Sequence, residues 1–379
     1  MRCDIHAFVY HVVDAILGDK PTPLMGDSMP SVDVLIVGAG PACCAAAIRA
    51  ASHGLTVALV ERTRFPRDVP GEALHPDVDG VFDELGVTEA VADAGFIRYP
   101  GWMRQRSGDR TFVPFLGGAG FRFGYQAGRS KLDSILVAHA QRAGVGVEQM
   151  TGRSEPILSA GRVTGVHVAN RQLSCRYLVD ASGTARWLSR RMGLPVTRLS
   201  PELVAEYGYF SGDSELGIIP EFREHACGWT WMARVRDDCS QLVRLSLVAD
   251  TDPPPLPTPF DRLTGLRGAD VTWRVVSACA GAGYFLCGDA AATLDPAAPS
   301  GVARALAAGV KAADLIAQVS GGEMTEDDGA LAYREWLGRE VGTHALQVAA
   351  CYAGLENPPE WLNALPERWR DVGLSRECS

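Results

Sequence analysis

Val32-Asp-Val-Leu-Ile-Val-Gly-Ala-Gly-Pro-Ala-Cys43 decides how this chain folds. Val32 to Val37 is a short, nearly unbroken apolar run, the pattern of a parallel strand covered on both faces. Gly38 and Gly40 follow, at positions where a side chain would obstruct a phosphate. A helix entered through Pro41-Ala42 turns its free N–H groups and the positive end of its dipole toward that point, which makes a pyrophosphate site. An alanine-rich helix through Ala45–Ala51, a stop at Gly54 and a second apolar strand, Thr56–Val60, ending on Glu61 complete a β-α-β unit. Glu61 lies 23 residues beyond Gly38, where a dinucleotide fold sets the acid that binds ribose hydroxyls. The third glycine of the motif is replaced by Cys43, so helix and strand must close around a thiol.

The bulk properties narrow the class. A chain of 379 residues, 47% of them hydrophobic, with a mean hydropathy of +0.02, is globular and long enough for two or three domains. A net charge of −9 without a basic block argues against nucleic acid as a partner. Lysine stands only at Lys20, Lys131 and Lys311. Ten scattered cysteines lack metal-ligand spacing, so buried free thiols in a reducing cytoplasm are expected and no metal site is. No stretch approaches the length of an apolar membrane span. Residues 1–30 precede the nucleotide unit; Lys20-Pro-Thr-Pro23 and Gly26-Asp-Ser28 make a linker, and residues 1–28 are expected to be a loose extension or an overlong reading frame.

Four later segments stand at turns or helix starts. They are Pro70-Gly-Glu-Ala-Leu-His-Pro76, Tyr125-Gln-Ala-Gly-Arg-Ser-Lys-Leu-Asp133, Asp180-Ala-Ser-Gly183, and Gly283-Tyr-Phe-Leu-Cys-Gly-Asp-Ala-Ala291 continued by Leu294-Asp-Pro-Ala-Ala-Pro-Ser-Gly-Val302. In this order they resemble the large FAD family of aromatic hydroxylases, geranylgeranyl reductases and tryptophan halogenases. The resemblance implies an α/β fold: a glutathione-reductase-type Rossmann FAD-binding domain, an inserted antiparallel β-sheet substrate domain and a C-terminal helical tail. The expected boundaries are 31–185 with 274–325 for the FAD-binding domain, 186–273 for the sheet and 326–379 for the tail. It also implies site residues. Gly38, Gly40 and Ala42 would hold the pyrophosphate, Glu61 and Arg62 the adenosine end, Gly71, Glu72, Ala73 and Arg129 the flavin side, Asp289 the ribityl chain, and Pro296, Gly301 and Val302 the isoalloxazine.

One dinucleotide motif without a second implies that FAD stays bound while electrons arrive from NAD(P)H docking transiently or from a separate flavin reductase. The family analogy further implies reaction with O2 to a flavin C4a-hydroperoxide in a dry pocket, lined here by Ala290, Ala291, Ala297 and Ala298. The catalytic lysine of the halogenases lies between the Gly-Glu loop and the arginine helix, and this chain has no lysine there. The halogenase glutamate is Ala298, and the isoleucine–proline of the tryptophan motif is Ala233-Arg234. Halogenation is therefore disfavoured and hydroxylation of an aromatic compound expected. Pro70–Pro76, Asp270-Val-Thr-Trp-Arg274 and Gly288–Gly309 also resemble FAD proteins that mature tryptophan-derived quinone cofactors. That likeness implies an indole substrate, either an aromatic small molecule or a tryptophan presented by a partner protein, with Trp229 and Trp231 lining its pocket. His75 is read either as an acid–base group or as a turn-stabilising histidine. A polyprenyl-type reductase and a non-catalytic FAD-binding partner protein stay open as alternatives.

Overall fold

The computed structural model describes residues 31–67, 69–70, 73–118, 120–211, 217–248, 261–262, 265–297 and 300–372. Gly71, Glu72 and Ala298 lie outside the described residues, as does the N-terminal extension. Five parallel strands form the centre: β1 (Val32–Val37), β2 (Val57–Glu61), β3 (Gly146–Gln149), β4 (Arg171–Asp180) and β5 (Tyr284–Leu286), in the spatial order β3-β2-β1-β4-β5. Val34, Leu35, Ile36 and Leu59 are wholly buried, as an apolar run covered on both faces requires. Val37 pairs with both Val60 and Asp180, Asp180 with Leu286, and Glu61 with Gln149. Strand ends in register place Gly38, Glu61, Ala181 and Gly288 along one carboxyl edge, where open α/β sheets bind ligands. The first residues of β4 pair instead with a hairpin, Ser154–Ser159 and Arg162–Val168, that extends the sheet antiparallel.

Five helices position this edge: α1 (Pro41–Ser52), α2 (Val78–Glu84), α3 (Arg129–Arg142), α4 (Gly301–Ser320) and α5 (Glu326–Ala353). Ala42 to Ala47 are all buried, because α1 is covered by the sheet on one side and by α4 on the other. The α1–α4 contact is backbone to backbone: a Cβ on Gly309 would lie 2.2 Å from the carbonyl oxygen of Ala42. Helix α5 opens with Thr325, whose hydroxyl accepts the N–H of Asp328, and its Tyr333 and Tyr352 are buried in the body of the protein. Among the described residues no helix is long and apolar enough to cross a membrane.

A second, mostly antiparallel sheet shares the main hydrophobic core with the first. It runs through Val204–Ser211, Cys239–Ser246, Gly228–Arg236 and Glu221–His225 and continues into Gly101–Arg106 and Asp109–Pro114. That hairpin comes from the stretch assigned by sequence to the nucleotide unit. It turns at Ser107-Gly108, both with positive φ, and Gly101–Arg106 satisfies its outer edge on Glu221, Phe222 and Arg223. Its partner strand lies more than a hundred residues away, so local pattern could not assign it.

Candidate FAD site

The phosphate end is built from α1. Its first turn has Pro41 at the start, no acidic residue and no side-chain cap, so its N–H groups remain available to an external anion. Gly38 has φ +109°, and a Cβ there would lie 2.8 Å from the Ala181 carbonyl oxygen and 2.9 Å from Cys43 Sγ. The cysteine in place of the third glycine therefore finds its own acceptor: Sγ lies 3.2 Å from the Ala181 oxygen. Burial pushes the thiol well up, so it stays protonated and donates.

Beside it runs a ladder of charge. Arg67 bridges Glu61 Oε2 and Asp133 Oδ2, each at 3.1 Å, and Arg129 donates to both oxygens of Asp133 and to the carbonyl of Pro70. Glu61 Oε1 accepts from the N–H and hydroxyl of Thr63. Arg62, expected beside Glu61, stands exposed, and Arg67 occupies the inward place. Ala73 pairs with Gln126, whose side chain is fully buried with no partner for either amide atom. Such an orphaned amide calls for a ligand's donors and acceptors.

The ring end centres on a cavity of about 240 Å³ between α2, α4 and α5. His75, Asp77, Asp289, Ser300, Arg304 and Trp336 are among its lining residues, with small residues of α4 between them. Asp289 opens onto it from the turn after β5, and its enclosing surroundings hold the carboxyl above the usual range, with Arg304 opposing. Arg304 is itself pushed down by burial, and its Nε has no hydrogen-bond partner. The lining is thus not the dry alanine wall expected from Ala290 and Ala291, which are buried away from it; Ala303, Ala305, Ala307 and Ala308 supply the small residues and Asp289, Arg304 and Glu340 the charge.

His75 Nδ1 accepts the N–H of Asp77 at 3.2 Å, and burial lowers its pKa against the opposing pull of Asp77. The same Nδ1 lies 3.0 Å from the carboxylate oxygen Oδ2 of Asp77. Gly301 and Val302 form the first turn of α4, and Pro296 is exposed just before it. Trp229 and Trp231 do not line the cavity. Trp229 is a core residue, donating to Tyr352 Oη at 2.8 Å and stacked on Phe222; Trp231 is buried with Nε1 unpartnered. The aromatic wall is Trp336 of α5 instead.

Sequence reading missed Arg67, Gln126, Arg304, Trp336 and the Ser300–His344 contact. Gln126 lies inside the Tyr125–Asp133 segment and Arg304 inside Gly288–Gly309; Arg67 falls between motifs, and Trp336 and His344 belong to a helix without one.

An uncapped helix start, an acid at the end of the second strand, a buried orphan amide and Asp289 over a cavity suit the pyrophosphate, ribose and ribityl groups of FAD, and they define a flavoprotein of the α/β dinucleotide-binding class. The profile of the FAD binding domain family matches residues 31–240, and the chain belongs to that family. It is 27% identical over 343 residues to the 1H-pyrrole-2-carbonyl peptidyl-carrier protein brominase of Pseudoalteromonas luteoviolacea, covering 81% of this chain and 82% of that one. It is 29% identical over 317 residues to the menaquinone reductase of Mycobacterium tuberculosis, covering 76% of each. Among solved structures the myxobacterial chondrochloren halogenase shares the fold, with TM-score 0.78 and 23% identity over 91% of this chain and 89% of that one. The protein is an FAD-dependent oxidoreductase.

Proposed function

We propose that this oxidoreductase is a monooxygenase that hydroxylates an aromatic substrate of the indole type, free or presented by a partner protein. Bound FAD supplies two-electron chemistry. One oxygen atom of O2 enters the ring, the other leaves as water, and NAD(P)H or a flavin reductase provides the two electrons. The chain's own residues shape the ring end: Trp336 offers a flat wall, His75 an imidazole held by Asp77, and Arg304 a cation beside Asp289.

One observation carries the choice against halogenation despite halogenase relatives. Residues 73–130 contain no lysine, and Arg98, the base nearest the expected position, is consumed: it donates to the carbonyls of Gly124 and Phe123 and lies 3.8 Å over the Tyr125 ring. No amine is left there to hold hypohalous acid. A second reading, reduction of a quinone-like acceptor, draws on the Mycobacterium tuberculosis relative and on the charged groups in the cavity, which suit a polar acceptor better than an oxygen species needing dryness.

The test is turnover of purified, FAD-loaded protein with NADH, NADPH or dithionite, air, bromide and a tryptophan-containing peptide or free indole. Mass spectrometry should show one added oxygen and no halogen. A brominated product overturns the proposal, and anaerobic turnover with a quinone in place of oxygenation establishes the second reading.

A further inference from the structure

Serine is favoured at helix starts because its hydroxyl accepts an N–H from the first turn. Ser300, which opens α4, makes no such bond. Its Oγ lies instead 3.0 Å from Nε2 and 3.3 Å from Nδ1 of His344, a buried residue of α5 that is 44 residues away in sequence. The first N–H to find a helical carbonyl is that of Arg304, on the Ser300 oxygen. Among the described residues, the N–H groups of Gly301, Val302 and Ala303 therefore have neither a helical partner nor the serine cap. Gly301, Ala303 and Arg304 line the cavity, and Arg304 Nε is also without a partner.

We propose that His344 is a positioning residue for FAD: by engaging the Ser300 hydroxyl it prevents α4 from capping itself, and so keeps the first-turn N–H groups free for the flavin's pyrimidine carbonyl edge. The inference rests on the flavin reading of α4. Burial and the Arg304 guanidinium push His344 down to about 4, with Gln347 opposing, so the ring is neutral and one nitrogen is bare for the serine O–H. Either tautomer diverts the hydroxyl.

The consequence is an unusual pattern of rescue. In H344A the freed serine, its backbone turning from φ −108°, ψ −2° to the extended conformation of a cap, closes α4 and competes with the cofactor, and FAD binding weakens ~5-fold, the scale of an ordinary serine cap. In S300A/H344A no hydroxyl remains to compete, and binding returns toward the wild-type value. Flavin fluorescence quenching during titration of apoprotein reads both, independently of turnover. If H344A fails to fold, H344L and S300A/H344L carry the same comparison. A double variant as weak as the single one assigns His344 to packing alone and overturns the proposal, as does a single variant that binds FAD like the wild type. Wild-type protein that takes up no FAD would remove the flavin reading itself, a result distinct from either.

Discussion

Trp229 and Tyr352, 123 residues apart in the chain, are joined by a 2.8 Å hydrogen bond from the indole Nε1 to the phenol oxygen. Tyr352 in turn donates to Asp295 Oδ1 at 2.7 Å, and the other oxygen of Asp295 accepts from Trp273 Nε1 at 2.7 Å. The N–H of Ala297 adds a third bond to the same carboxyl. The network ties the second sheet, α5 and the loop leading into α4 through one buried acid. Burial holds that acid above the usual carboxylate range, with its hydrogen bonds opposing.

Tyr352→Phe removes the hydroxyl that serves both neighbours, leaving a buried indole N–H and one side of a buried carboxyl unsatisfied. The expected loss is about 2–3 kcal/mol of unfolding free energy, read from urea denaturation. A loss within the error of the method would show that the network contributes nothing to stability.

Gly38→Ala tests the phosphate turn. A Cβ at φ +109° would meet the Ala181 oxygen after β4 and Cys43 Sγ of α1, atoms that pack against the turn. FAD affinity is expected to fall by roughly two orders of magnitude, in line with a few kcal/mol of backbone strain and displacement. Equilibrium dialysis against FAD measures it.

Arg67 and Arg62 separate inward from outward charge. Arg67→Ala leaves Glu61, 4% exposed, without its cation and removes one of two from Asp133; breaking such a buried pair is expected to destabilise by about 3 kcal/mol. Arg62→Ala, at an exposed position, should stay within about 0.5 kcal/mol. Thermal unfolding of the two variants side by side decides it, and equal effects would contradict the geometry.

Acid should act through His344. Its pKa is lowered to about 4 in the fold, against ~6.5 unfolded, so between these values the unfolded chain binds the proton more readily. The stability linked to this group is fully present above pH ~6.5 and is lost as pH falls toward ~4, in all about 3 kcal/mol. Asp180 and Asp295, with pKa values raised by burial, oppose this on acidification. The comparison is therefore wild type minus His344→Gln: that difference in unfolding free energy should shrink between pH 7 and pH 4. A difference constant with pH would mean that the histidine does not titrate with folding.

By itself the sequence determined the nucleotide unit, because its information is local. An apolar run, two glycines, a helix start and an acid at fixed offset act within some thirty residues, and β1, α1 and β2 form where that pattern set them. The turn bearing Asp289 and the start of α4 were legible for the same reason. Tertiary structure alone decided what depends on contacts between distant segments. Residues 101–114 join the second sheet because Glu221–Arg223 offer a strand edge. Trp229 is core because Tyr352 returns from α5 to meet it, and Trp336 of that helix takes the cavity wall. Arg67 turns inward and Arg62 outward although both flank the same acid, since only Arg67 reaches Asp133 on α3. Ser300 leaves its own helix uncapped because His344 lies within reach, and nothing in the spacing of either residue foretells the other.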